Sequence, residues 1–282
     1  MAKDTPQDAA RALEYKEKGN RCFQSGDYHG ADGFYTNAIN ADPSNPLLYT
    51  NRSMSRLKLA HWDDVITDSL HAISLLPDNM KAYYHLAQAQ IALDQPGAAL
   101  VSAKKAHEYC VKEVQSHAKG AGSMGVITEL VLRCKKEDWE RRERTREKNR
   151  KGLVGEMVKL LESQRDRVLG EVDTGEKEDV ETEYAEKIEE VRRMAAEVGL
   201  EGRRRKVPDW IIDDITFSVM HDPVVTRTGQ SYERASIMEH LKRSPTDPLT
   251  REPMRVEDLR PNLALRAACE EFLHENGWAV DW

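Results

Sequence analysis

Residues 49–82 read YTNRSMSRLKLAHWDDVITDSLHAISLLPDNMKA, with Tyr49 opening the stretch and Tyr83 following it. A shift of 34 residues carries Tyr15 onto Tyr49 and Tyr49 onto Tyr83. The same shift aligns Ala38, Ala72 and Ala106, places Ala31 and Ala99 in a column with Val65, and sets Pro43 over Pro77. Four columns agreeing at one period mark an internal repeat, in which each copy is a supersecondary unit that buries its apolar face against the next.

Each unit reads as two antiparallel helices. Small residues such as Ala31 and Ala38 let the helices approach closely, and Pro43 falls after the second helix, where it interrupts no hydrogen-bond ladder. Asp42, Asp78 and Asn79 fall at the turns between units, where short polar side chains satisfy backbone groups. The pattern resembles the tetratricopeptide repeat, with three copies over about residues 12–113. A further helix over about 124–145 is expected to cover the last apolar face, giving a first domain over 12–145.

A repeat array has no chemistry of its own; its concave face binds. Lys16 and Asn20 are four residues apart and share one helix face, Asn51 lies on the first helix of the second repeat, and Lys81 opens that of the third. Two ammonium groups and two carboxamides on one groove suit clustered carboxylates, above all an acidic C-terminal tail. Taken singly, the lysines read as solvated and the asparagines as turn caps; it is the set at matching repeat positions that points to a site. The set resembles the two-carboxylate clamp of tetratricopeptide co-chaperones, which holds the Glu-Glu-Val-Asp terminus of heat-shock chaperones of the seventy- and ninety-kilodalton classes. The resemblance implies that Lys16, Asn20, Asn51 and Lys81 hold the tail and that Met54, Tyr84 and His85 wall a pocket for its aliphatic side chains. That family also places an Asp just before the helix after the third repeat, where Ser123, Met124, Gly125 and Val126 supply no acid.

The middle of the chain is dense in charge, with Arg and Lys interleaved with Glu over 133–151. Val154, Met157, Leu161, Gln164 and Val168 recur at steps of 3 and 4, as do Tyr184, Ile188, Val191, Ala195 and Val198. The run at 173–176 reads as a helix break between them. A charged helical hairpin over 146–206 is the expectation, with a heptad-like seam that a second copy satisfies in a homodimer; Gln164 and Ala195 in the seam leave a weakly packed, monomeric hairpin as the other reading.

Composition changes at Val207-Pro208, beyond which turn signals are frequent and only two helices are expected, over 233–242 and 262–275. The second has Leu265, Ala268 and Phe272 as its buried face. Asp-Pro-Val-Val at 222–225, Gly229, Tyr232, the helix with Ile237, His240 and Leu241, Asp-Pro-Leu-Thr-Arg at 247–251 and Pro-Asn-Leu-Ala at 261–264 resemble the U-box over 207–282. That family is a small α/β module with RING architecture, held by hydrogen bonds and salt bridges instead of zinc. By that resemblance Ile215, Phe217 and Pro248 form the apolar groove for a ubiquitin-conjugating enzyme, Arg251 contacts both enzyme and ubiquitin, and His240 and Asn262 have supporting roles. Read without the resemblance, Ile215 and Phe217 alternate as strand residues packing a core, and Pro248 is a turn former. Asp213 and Asp214 are an acid pair without a second catalytic partner, which argues against hydrolase chemistry.

The 282 residues carry 42 Lys and Arg against 49 Asp and Glu, a net charge of −7, and no run of apolar residues long enough to span a bilayer. The basic runs are matched by Glu and lack a dedicated basic domain, so neither nucleic acid nor membrane is expected as a partner. The first twenty residues have no apolar stretch of the kind a secretory signal needs, and the expectation is a cytoplasmic protein, with the basic run at 203–206 available for nuclear import. Cys22, Cys110, Cys134 and Cys269 lie too far apart for a ligand set, so free thiols and no metal or cofactor are expected.

Helical array, charged hairpin and U-box, in that order, resemble the CHIP-like family of chaperone-linked ubiquitin ligases, and the resemblance includes Glu-Asn-Gly-Trp at 275–278. It implies a mainly α protein whose partners are heat-shock chaperones, a conjugating enzyme, ubiquitin and misfolded clients. The rival from another class is a co-chaperone adaptor that uses its U-box only for binding.

Overall fold

The computed structural model describes residues 6–117, 121–173, 175–201 and 206–282, so Thr174 of the expected helix break and 203–205 of the basic run lie outside the described residues. The chain divides into two compact units, residues 1–138 with 211–282, and residues 139–210.

The first unit begins with three helix pairs: α1 (Pro6–Gln24) with α2 (Tyr28–Ala41), α3 (Pro46–Lys58) with α4 (Trp62–Leu75), and α5 (Met80–Ala92) with α6 (Pro96–His117). The two small-residue columns explain the close packing. Ala31, Val65 and Ala99 are all 0% exposed, as are Ala38, Ala72 and Ala106. At Gly19 a Cβ would stand 2.7 Å from the Tyr35 ring, so only glycine lets α1 approach α2 there. The backbone repeats even where residue type does not: Gly26 (φ 83°), Ala60 (φ 58°) and Asp94 (φ 54°) are the left-handed turn residues of successive pairs. Asn45 and Asn79 repeat too, each capping the next helix by accepting a backbone N–H, from Leu47 and Ala82 respectively. Adjacent repeats are also tied by charge: Arg52 donates to both oxygens of the buried Asp68 (2.9 and 2.6 Å), and Arg56 bridges Asp68 to Asp32.

α7 (Ala121–Glu171) is one 51-residue helix, so the expected end of a trailing helix near 145 has no counterpart. The charged stretch continues it because it is rich in good helix formers and contains no proline. Met124, Ile127, Leu130, Val131 and Cys134 bury the start of α7. In the second unit, the rest of α7 and α8 (Lys177–Glu201) carry the two apolar stripes. Ile188 is buried and Val154, Leu161 and Val191 are half-buried, whereas Leu153, Met157, Leu160 and Met194 are exposed.

The C-terminal module is a three-stranded antiparallel sheet in the order β2-β1-β3 (Ser231–Glu233, Pro223–Val225, Arg260–Pro261), followed or flanked by α9 (Arg234–Arg243) and α10 (Leu263–Glu275). Val224 pairs with Tyr232 across the sheet, and both are fully buried with Ile211, Met220 and Ile237. The face of α10 lies one position away from expectation: Leu265, Ala268 and Phe272 are half-buried, while Cys269 and Leu273 are fully buried. This module packs on the array through Lys135 of α7, which donates to Glu270 of α10 and lies 3.1 Å from His221 Nδ1. Lys135 is 5% exposed, and burial is the largest effect lowering its basicity.

Candidate functional sites

The first site is a cleft of about 420 Å³ on the inner face of the array. It brings together Asn20 of α1, Asn51 and Met54 of α3, and Lys81, Tyr84 and His85 of α5. Lys16 stands one turn before Asn20 on α1, half-buried, and is not among the residues lining the cleft. Asn20 Oδ1 accepts from the Tyr35 hydroxyl (2.8 Å) and, at 3.5 Å, from Asn51 Nδ2. That fixes the amide so that its Nδ2 is the free donor.

His85 is 5% exposed, and burial, with Lys81 nearby, lowers its pKa to about 4. The ring is therefore neutral near pH 7. The Ser53 hydroxyl donates to the Thr50 carbonyl (2.8 Å), so the 2.7 Å contact between His85 Nδ1 and Ser53 Oγ has Nδ1 as donor. Tyr84 is oriented by Gln88, whose Nε2 donates to the tyrosine oxygen at 2.9 Å. Phe23, Met80, Val126 and Ile127 add apolar wall and Ser123 a polar rim, and among the described residues no Asp or Glu lines the cleft. The repeat spacing gives no sign of these, because Phe23 and Met80 are not polar members of the set and Ser123, Val126 and Ile127 reach the cleft from α7, beyond the repeats.

The second site is a pair of loops built to one plan. Asp213-Asp214-Ile215-Thr216-Phe217-Ser218 and Asp247-Pro248-Leu249-Thr250-Arg251-Glu252 align position for position. In each, the first residue's backbone N–H bonds the sixth residue's carbonyl, and the fifth residue's N–H bonds the first's carbonyl. The fifth residues, Phe217 (φ 56°) and Arg251 (φ 62°), both have left-handed backbone. A non-glycine residue held there marks a backbone that its surroundings over-determine.

What determines it is a buried carboxylate in each loop. Asp213, 0% exposed, accepts from the Thr216 N–H (2.9 Å) and hydroxyl (2.7 Å) with one oxygen and from the Glu233 N–H (2.8 Å) with the other. Asp247, 1% exposed, accepts from the Leu249 and Thr250 N–H groups and from the Thr228 and Tyr232 hydroxyls. Burial works to raise the Asp247 pKa, but these four donors outweigh it and hold the carboxyl below the usual range. The two aspartates are thus the fasteners of the module. Among the described residues, no group of three or more His, Cys, Asp or Glu side chains is arranged to hold a metal ion.

Held this way, the loops carry Phe217, 72% exposed, and Leu249, 63% exposed, with half-buried Ile215 and Pro248 and exposed Arg251. Ile215 also packs on the module's core, so both readings of it hold in part. Leu249 was missed, although its register with Ile215 was available in the sequence. His240 Nε2 lies 3.0 Å from the Thr246 carbonyl, and Asn262 caps α10 while donating to Ser231 Oγ (3.0 Å), so both support loops and sheet.

Glu233 links the loops to the sheet. One oxygen accepts the His221 and Asp222 N–H groups (2.7 and 2.9 Å), and the other has no hydrogen-bond partner. Burial, which outweighs those two N–H bonds, pushes its pKa up to about 7.

The U-box domain family matches residues 207–278. A helical-repeat cleft joined to a U-box whose loops are fastened by carboxylates defines a U-box-type ubiquitin ligase with a docking array. Over 281 residues the chain is 32% identical to the E3 ubiquitin-protein ligase CHIP of Arabidopsis thaliana, covering 96% of each chain. It belongs to the CHIP family of ubiquitin ligases. The Protein STIP1 homolog of Dictyostelium discoideum is 46% identical over 77 residues, 27% of this chain and 14% of that one. Among solved structures, the first TPR of Spaghetti (RPAP3) bound to the HSP90 peptide SRMEEVD is 29% identical and covers 42% of this chain and 94% of its own. Its TM-score is 0.36.

Proposed function

We propose that the array's cleft grips the acidic C-terminal tail of a heat-shock chaperone while the paired loops recruit a ubiquitin-loaded conjugating enzyme, so that ubiquitin passes to a client held by the chaperone. The observation that carries this reading is the cleft's donor set. The Asn20 and Asn51 amides and the Lys81 ammonium line a space that no carboxylate of the described residues lines, beside apolar walls from Met54 and Tyr84. Lys16 extends the set along α1. Such a site favours a peptide with clustered carboxylates and an aliphatic side chain.

At the other end the ligase forms no covalent bond to ubiquitin. The conjugating enzyme carries the thioester, the substrate lysine attacks it, and the ligase acts by holding the reacting groups in place. Ile215, Phe217, Leu249 and Pro248 supply the apolar contact and Arg251 the polar one. The adaptor alternative uses these loops for binding alone, and a ubiquitin-transfer assay with purified activating and conjugating enzymes separates the two readings.

The hairpin's exposed Leu153, Met157, Leu160 and Met194 support pairing of two copies through α7 and α8. Calorimetric titration of the full chain with an acidic-tail peptide tests the cleft. Lys16→Ala should reduce affinity at least about tenfold, and wild-type affinity should fall as salt rises. Equal binding by wild type and variant moves the ligand elsewhere.

A further inference from the structure

The array and the C-terminal module meet over two histidines that neither the tail cleft nor the paired loops use. His107 of α6 is 7% exposed and His221, just before β1, is 8% exposed. Their rings meet edge to face with centroids 5.0 Å apart. Both line a second cleft, of about 530 Å³, together with Lys104 of α6 and Arg266 and Glu270 of α10.

Neither ring is placed to accept a second proton. Lys135 of α7 lies 3.1 Å from His221 Nδ1, and an ammonium can only donate, so Nδ1 is the acceptor and the ring's own hydrogen is on Nε2. A proton arriving at Nδ1 removes that acceptor and sets two cations against each other. Glu270 already bonds both Lys135 and Lys104, and Glu108 bonds Lys105 and Lys112. His107 Nε2 is buried without a hydrogen-bond partner. The anion acting on it is Asp222, one oxygen of which takes Arg234 at 2.6 Å while the other has no hydrogen-bond partner and lies 3.9 Å from Arg266. Burial is the largest effect on the His107 pKa and lowers it; Asp222 acts the other way, and Arg234, Arg266 and Lys135 reinforce burial. Burial also leads at His221, where Lys135, His107, Lys104 and Arg266 all push the pKa further down.

We propose that His107 and His221 are a pH-sensitive catch between the array and the U-box: the two are held together while both rings are neutral and part when acid charges them. Parted, each ring returns to water and to the ordinary histidine value of 6.5; together, neither takes a proton there. The catch is at full strength above that value and weakens as pH falls below it. Each ring lowers the closed-to-open ratio by up to about tenfold per pH unit. The catch does not depend on what the array's inner cleft binds.

Energy transfer between two dyes on the full chain tests it. Val101→Cys on α6 and His274→Cys on α10 give exposed attachment points, and Cys22→Ser removes the one cysteine that is not buried. With His107 and His221 in place, transfer should fall between pH 7.5 and 5.0. His107→Gln or His221→Gln, which take no proton, should each make the fall shallower, and the two together should leave transfer flat. Glu233→Gln removes the neighbouring carboxyl that accepts the His221 N–H and should leave the fall in place. Followed by nuclear magnetic resonance in the unsubstituted chain, the two rings should titrate over the same pH range as the fall. Constant transfer with both histidines present overturns the proposal. So does an undiminished fall in the double variant, its loss in Glu233→Gln, or rings that stay neutral while transfer falls.

Discussion

The array and the U-box solve the same problem, holding a binding surface still, by opposite means. The array does it with many weak and similar parts: columns of fully buried small residues, repeated caps at Asn45 and Asn79, and left-handed turns recurring at one period. Its concave cleft is a by-product of stacking. The C-terminal module has too little core to do this and instead fixes each loop with one buried aspartate that accepts three or four hydrogen bonds. A distributed design tolerates the loss of one part; a fastened one does not.

The sharpest break in that symmetry is Asp247→Ala. It leaves two N–H groups and two hydroxyls without their acceptor in a buried site, and should destabilise the module by about 3–5 kcal/mol. Thermal melting followed by near-ultraviolet dichroism checks this, and an unchanged transition would mean that Asp247 is no fastener. An array position such as Ala60, by contrast, should shift its own transition only slightly.

Next in size is the pH response of Glu233, whose carboxyl holds its proton more tightly folded than unfolded. Between its ordinary value and about 7, the folded state binds the extra proton, so this group's contribution to stability falls as pH rises through that window. In the array His85 has the opposite sign. Its pKa is lowered to about 4, so the unfolded state takes the proton first and stability is lost as pH falls from 6.5 towards 4. Glu233→Gln should match wild type near pH 5 and exceed it near pH 8 by roughly 2–3 kcal/mol, as a carboxyl raised to about 7 requires. Denaturant melts at the two pH values measure it, and parallel profiles for the two proteins would refute the assignment.

Smaller again is Phe217→Gly. Glycine suits the left-handed backbone better than phenylalanine, so the variant should fold as well or better, yet lose an exposed ring worth about 2 kcal/mol at an interface. Ubiquitin-chain formation with purified activating and conjugating enzymes should drop about thirtyfold while the melting temperature holds or rises. Full activity would remove Phe217 from the site. Smallest is Ala60→Gly, which relaxes the second repeat's turn and should stabilise the array by about 0.5–1 kcal/mol in a denaturant titration.

These differences also explain what the sequence could show. Periodicity is a signal that adds up, so the array was legible down to single columns, and Asn20, Asn51 and Lys81, picked out at matching repeat positions, line one cleft. The turns at Ala60 and Asp94 were not legible, because only Gly26 has the residue type that announces a left-handed backbone. In the U-box the family's spacing drew attention to Ile215, Phe217, Pro248 and Arg251, which the structure places on the two loops, but Asp213 read as half of an acid pair lacking a catalytic partner. Its function is to accept three hydrogen bonds, and which donors converge on a carboxylate is settled by tertiary packing. Leu249 was recoverable by laying 213–218 over 247–252. The uninterrupted α7 was harder, since the expected stop near 145 rested on where the repeats end and no residue there breaks a helix.

The central claim is that gripping and transfer are separate acts of two separate surfaces. The most direct measurement is reconstituted ubiquitination of a chaperone that carries its acidic tail, comparing wild type, Lys16→Ala and Phe217→Gly. Lys16→Ala should stop modification of the chaperone while free ubiquitin chains still form, and Phe217→Gly should suppress both. Modification of the chaperone by Lys16→Ala at the wild-type rate, or loss of free chains in that variant, would contradict the account.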